Sequence, residues 1–94
     1  MNILEHMMGL YNEALEELMD AEKYTKCMEK SETPEDKTMY RTLAKQELEH
    51  EAALEKSADR LFPSTGTDSL HMVWQHLKKH LRSWRGKIEM RMAE

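Results

Sequence analysis

Apolar side chains recur three and four positions apart through most of this chain, the spacing that puts them on one side of an α-helix. The first run extends from about residue 2 to residue 30, with Leu4, Met7, Tyr11, Ala14, Leu18, Ala21 and Met28 on one stripe and Glu, Lys and Asn largely between them. The stripe skips one helical step between Ala21 and Met28, and Gly9 is its only weak point. Ser31-Glu32-Thr33-Pro34-Glu35-Asp36 then reads as a stop and a restart. Thr33 can cap a new helix, Pro34 suits its first position, and Glu35 and Asp36 favour its positive end. A second helix is expected over about 34–61, with Met39, Leu43, Leu54 and Leu61 inward. Pro63, Gly66 and the hydroxyl residues around them mark a linker over 62–67, where Thr67 or Asp68 can cap a third helix over about 68–93. That helix presents Leu70, Val73, Leu77, Leu81, Trp84 and Ile88.

The expected fold class is therefore all-α: one domain over residues 1–94, a long antiparallel helical hairpin with a third C-terminal helix. At 94 residues the chain buries only roughly 60–65% of its extended surface, so association with a second copy would add stability. The apolar share of 39% is too high for a disordered tail. Nine Met against one Phe point to a core filled by flexible side chains. Cys27 stands alone, so it forms no disulfide within the chain and reads as a core thiol. No stretch has the apolar length of a membrane helix or the form of a signal peptide, which points to the cytoplasm and against a membrane partner.

Charge is unevenly divided. Residues 1–61 carry 15 acidic and 8 basic side chains, whereas residues 62–94 carry 3 and 6. The third helix is thus the only basic segment, with Lys78, Lys79, Arg82, Arg85, Lys87 and Arg91 interleaved with Trp74 and Trp84. Such a helix has the composition of a nucleic-acid surface. The acidic hairpin would repel phosphates, so the simpler expectation is that the basic helix packs against acidic residues of its own chain or of a neighbour in an oligomer.

Candidate chemistry lies in the second helix. The stripe Leu43, Glu47, His50, Leu54 puts a carboxylate and an imidazole where apolar residues are expected, and burying either one unpaired is costly. Glu47 and His50 form a Glu-x-x-His motif, whose two members share a helical face and can reach one ion. In a hairpin whose turn centres near Glu32, Glu17 lies level with Glu47, so two carboxylates and a histidine converge. A structural alternative stands beside this one: Glu47 paired with a Lys or Arg of a neighbouring helix, and His50 an ordinary interior histidine. Asp20, one turn from Glu17, reads first as an exposed helix acid. A second turn near Thr65 would bring His80 level with His50, with His76 one turn before it.

Glu17-Leu-Met-Asp20-Ala21-Glu-Lys-Tyr24 followed by Tyr40-Arg-Thr-Leu43-Ala44-Lys-Gln-Glu47-Leu-Glu-His50 resembles the first-helix Glu and second-helix Glu-x-x-His of rubrerythrin and the ferritin-like superfamily. The nearest likeness is to half-length members, such as encapsulated ferritins and small ferritin-like proteins of bacteria and their prophages. It covers about residues 10–61. It implies that Glu17, Glu47 and His50 are iron ligands, with Tyr24 a neighbour in the core, and that a second copy completes a di-metal site by homo-oligomerisation as a dimer or larger. Carboxylates with one imidazole suit iron or manganese. The activity implied is iron oxidation or storage, or peroxide handling, of ferroxidase or peroxidase type. The alternative reading is a non-catalytic assembly module with a basic third helix and a vestigial metal site.

Overall fold

The computed structural model describes residues 2–63 and 69–93, and these form three helices: α1 (Ile3–Lys30), α2 (Pro34–Leu61) and α3 (Ser69–Met92). α1 and α2 pack along their lengths as an antiparallel hairpin, and α3 lies against both, in a body measuring 52 × 24 × 15 Å. Among the described residues no helix is long and apolar enough to cross a membrane.

Local chemistry accounts for the helix ends. Asn2 Oδ1 accepts a hydrogen bond from the Glu5 amide at 2.8 Å while its amide group donates to Glu5 Oε1 at 3.2 Å, so cap and third residue satisfy one another. At the turn, Ser31 Oγ donates to the Cys27 carbonyl and the chain becomes extended. Thr33 Oγ1 then accepts from the Asp36 amide at 3.1 Å, with Pro34 opening α2 and Glu35 and Asp36 in its first turn. The expected caps of α3, Thr67 and Asp68, lie outside the described residues.

The hairpin closes around small side chains. Ala14, Ala21, Ala44 and Ala58 are all buried, which lets the two backbones approach closely, and Met7, Leu18, Leu48 and Phe62 fill the space between and around them. Thr25, fully buried, occupies the step the apolar stripe of α1 skips. Its hydroxyl donates to the Ala21 carbonyl at 2.8 Å, so it enters the core without an unpaired polar atom.

Two stripes differ from the sequence pattern. On α2 the buried line is Ala44, Leu48, Glu51, Glu55 and Ala58, continued by Phe62. The anticipated line of Leu43, Glu47, His50 and Leu54 lies one residue away along the chain, or roughly 100° round the helix at 3.6 residues per turn. Leu43 and Leu54 are half-buried, whereas Met39 and Leu61 are exposed. On α3 the indole of Trp74 takes the core position and Val73 is exposed, while Leu81, Ile88 and Met92 complete the line. In both helices apolar residues occupy neighbouring stripes, and packing selects the one that accommodates the close alanine contacts or the larger side chain. Leu4 is exposed as well.

The displaced stripe has a measurable consequence. Trp74→Ala should cost ~3–5 kcal/mol in urea unfolding, because it empties a fully packed site. Val73→Ala, on the exposed flank, should stay within about 0.5 kcal/mol. Equal losses at the two positions would contradict this core.

Candidate metal centre

Near the middle of the hairpin Glu17 of α1 meets Glu47 and His50 of α2. One donor atom from each lies within 4.8 Å of the others, and among the described residues this is the group of at least three such side chains arranged to surround an ion. His50 Nδ1 is 3.5 Å from Glu17 Oε2 and 3.9 Å from Glu47 Oε2. Helical geometry produces the pair on α2, since residues three apart rise about 4.5 Å and share a face. The level of Glu17 follows from the tight turn at residues 31–33 and the equal rise of two straight helices.

The side chains of Glu17 and Glu47 are 27% and 20% exposed, whereas that of His50 is 62% exposed. His50 is thus at the surface of the hairpin and not an interior residue, because the α2 core stripe runs through Glu51 instead. Glu17 Oε2 is buried without a hydrogen-bond partner. Hydrogen bonding to Glu17, reinforced by burial and by the negative charge of Glu17, pushes the Glu47 carboxyl up to about 7; Asp20 adds to the rise and His50 opposes it. Two carboxylates so close cannot both ionise freely unless a cation joins them. Among the described residues no lysine or arginine forms an ion pair with Glu47.

The other residues considered stand outside this group of donors. Asp20 is exposed and reaches the centre only through its charge. Tyr24 stacks on Tyr40 with ring centroids 6.5 Å apart, and Lys23 Nζ lies 5.1 Å from its ring centre. His76 and His80 are exposed on α3 and border a groove with Lys79, Ser83, Trp84 and Lys87, apart from the cluster. Cys27 is half-buried with a free thiol.

A second carboxylate group, not singled out from the sequence, joins α2 to α3. Glu51 is 0% exposed and 3.4 Å from Arg85 Nη1. Glu55 lies 3.3 Å from Arg82 Nε and 3.9 Å from Arg85 Nη1. Asp59 accepts from Trp74 Nε1 at 2.8 Å and from Lys78 Nζ at 2.9 Å on both oxygens. At the far end Arg91 of α3 donates from Nε and Nη2 to both carboxylate oxygens of Glu29 on α1, at 3.0 and 2.6 Å, and lies 3.6 Å from Glu22. The basic helix thus meets its own acidic hairpin through Lys78, Arg82, Arg85 and Arg91. The signal was available as the heptad-like run Ala44, Leu48, Glu51, Glu55, Ala58, with arginines on α3 to match.

Burial dominates Glu51. Together with hydrogen bonding to Glu55 and the charge of Glu55, it pushes the carboxyl up to about 8 against the pull of Arg85 and Arg82. At Asp59 burial acts upward too, but the bonds from Trp74 and Lys78 and the nearby charges outweigh it and hold the carboxyl below its usual range. Protein-family models, curated proteins and solved structures offer no match to this chain.

Glu51 and Glu47 make stability depend on pH. Each holds its proton more tightly folded than unfolded, so the native state binds more protons between about 4.5 and the raised value. Stability should therefore fall as pH rises from about 4.5 towards 8, with only the Glu51 contribution remaining above about 7. Glu51→Gln should flatten the upper part of that decline in urea midpoints taken from pH 7 to 8.5. An unchanged slope would remove Glu51 as its source.

Proposed function

We propose that this chain is a ferritin-like metal-binding protein in which Glu17, Glu47 and His50 hold iron or manganese and a second copy completes the centre. The observation that carries this reading is the convergence of the three donors with one buried carboxylate oxygen unpartnered and Glu47 holding its proton to about 7. A cation of matching preference relieves both conditions at once: oxygen and imidazole donors suit iron and manganese, and deprotonated Glu47 supplies a full ligand charge.

The surroundings favour completion by a second hairpin. α3 engages Glu22 and Glu29 on α1 and Glu51, Glu55 and Asp59 on α2. At 3.6 residues per turn, Glu17 is turned roughly 140° from Glu22 and 120° from Glu29, whereas Glu47 is about 40° from Glu51, 80° from Glu55 and 120° from Asp59. Glu17 is therefore turned away from the α3 contacts of α1, and Glu47 borders the face of α2 that α3 covers. Leu10, Tyr24, Tyr40, Leu43 and Leu54, all half-buried, lie along the same side as the donors. Their apolar area gives a second hairpin something to cover, and a two-fold axis there would duplicate the donors. When bound, such a metal pair supplies one-electron redox chemistry, which places ferrous oxidation and peroxide reduction among the reactions open to it. The residues of the chain would bind and orient it, and Glu47 would release its proton on loading.

Ferrous iron or manganese should raise the unfolding midpoint of the wild-type protein, since a ligand bound only to the folded state shifts the equilibrium. Replacing Glu47 with Leu and His50 with Met should abolish that rise, while the metal-free protein stays as stable or becomes more so. A salt-bridge role for the pair predicts the reverse: no metal response to lose, and a cost of roughly 1–3 kcal/mol. Calorimetry with and without metal separates the two. Unchanged metal binding in the double variant would refute the proposed ligands, and a clean monomer by sedimentation with metal present would refute the shared centre.

A further inference from the structure

The basic residues of α3 divide into two sets with different fates. Lys78, Arg82, Arg85 and Arg91 are committed to acids of the hairpin. Lys79 and Lys87 are exposed and form no ion pair or hydrogen bond with any described residue, and neither do His76 and His80 beside them. With Ser83 and half-buried Trp84 they line a groove of about 440 Å³ that contains no acidic side chain. At 1.5 Å per residue, Lys79 and Lys87 span about 12 Å of helix.

A stretch of opposite sign lies elsewhere on the same chain. Between Ile3 and Glu22 there is no lysine or arginine, yet Glu5, Glu13, Glu16, Glu17, Asp20 and Glu22 all fall within it. Glu22 is taken by Arg91, Glu17 belongs to the donor cluster, and Glu5 is tied to Asn2. Glu13, Glu16 and Asp20 are exposed, and none has an ion-pair partner among the described residues. Spaced three and four apart, they share one face over about 10 Å. Two helical strips of opposite charge and similar length, one on α3 and one on α1, thus stand without ion-pair partners among the described residues.

We infer that the α3 groove around Lys79, Lys87 and Trp84 receives the Glu13–Glu16–Asp20 strip of a second copy. α3 cannot turn these residues towards its own α1, because Arg85 and Arg91 fix its rotation. The contact joins two different surfaces, so repetition makes a ring or a filament and not a closed pair. It uses the groove of α3, which the two-fold contact proposed for the metal centre does not, and its acidic strip flanks Glu17 on α1. Trp84 supplies apolar area at the centre of the groove, while the lysine–carboxylate pairs set register and orientation.

Sedimentation velocity at 20 mM and 500 mM salt provides the test. Wild-type protein should form species larger than a dimer at low salt and lose them at high salt, since screening weakens exposed charge pairs. Lys79→Glu/Lys87→Glu and Glu13→Lys/Glu16→Lys should each lose the larger species at low salt. A single chain carrying all four changes should regain them, because the pairs are restored with signs exchanged. Manganese-induced stabilisation should be unchanged in Lys79→Glu/Lys87→Glu, whose substitutions lie on α3 away from Glu17, Glu47 and His50, so failure here is distinguishable from failure of the metal centre. Wild-type protein no larger than a dimer at low salt would overturn the inference. Lack of rescue in the four-fold variant would do so too, and so would inorganic polyphosphate binding to wild-type protein of unchanged mass, which would assign the groove to a phosphate ligand.

Discussion

The close approach of α1 and α2 is the constraint on which the rest of this structure depends, because it drives two glutamates into the core stripe of α2. Alanine at Ala44 and Ala58 sets the hairpin spacing, and the positions between them on the same face are Leu48, Glu51 and Glu55. A charged group cannot remain there unaided, since desolvation costs more than isolated Coulomb attraction returns. α3 resolves the problem with Arg82 and Arg85, and its docking fixes the rotation that also sends Trp74 inward and Arg91 across to α1. A Leu–Ala stripe would let α3 settle in many registers. Polar pairs of fixed spacing leave few, at some cost in stability, since Glu51 is wholly buried and its carboxyl is pushed up to about 8.

The hairpin therefore carries two carboxylate groups with different neighbours, although Glu51 and Glu47 both hold their protons above the usual carboxylate range. At Glu51 and Glu55 the compensating cation is built into the chain. At Glu17 and Glu47 no arginine or lysine is paired with the site among the described residues, and the nearby nitrogen belongs to His50, at the surface. Proton retention eases the electrostatic problem at Glu47, as it does at Glu51. What distinguishes the Glu17–Glu47–His50 group from the one a turn further on is that no arginine or lysine pairs with it among the described residues.

Much of this was legible in the sequence because it rests on local chemistry and rigid geometry. The Thr33–Pro34 restart, the absence of internal proline and the three periodic runs foretell three helices. The juxtaposition of Glu17 with Glu47 needs only a tight turn and a constant rise, so it emerges even though the α2 stripe was read one residue away. That displacement has a plain cause: Leu43 and Leu54 outweigh Ala44 and Ala58 in any count of apolar character, yet in a close helix pair the small residue lies at the interface and the leucine flanks it. Glu51 and Glu55 escape the same count because their burial is made tolerable by residues on α3, a relation no single-helix pattern contains. Val73 was preferred to Trp74 for want of knowing which of two adjacent apolar residues has an acid to receive an indole N–H.

Charge pairing also separates two properties that the acidic hairpin and basic third helix otherwise blur. If all the basic residues of α3 were needed to hold it down, its charge would be fully explained by folding. Lys78, Arg82, Arg85 and Arg91 suffice, and they point to the hairpin from positions at spacings of four, three and six, the flanks of one inward face. Lys79 and Lys87 lie beyond those flanks, where exposed charge contributes little to the stability of the monomer. Charges that do not serve folding are free to serve solubility or contact with another molecule. Solubility asks only for an excess of one sign, which the acids already provide, and two exposed lysines and two histidines reduce that excess. Their grouping around Trp84 in an acid-free groove is therefore better matched to contact than to solvation.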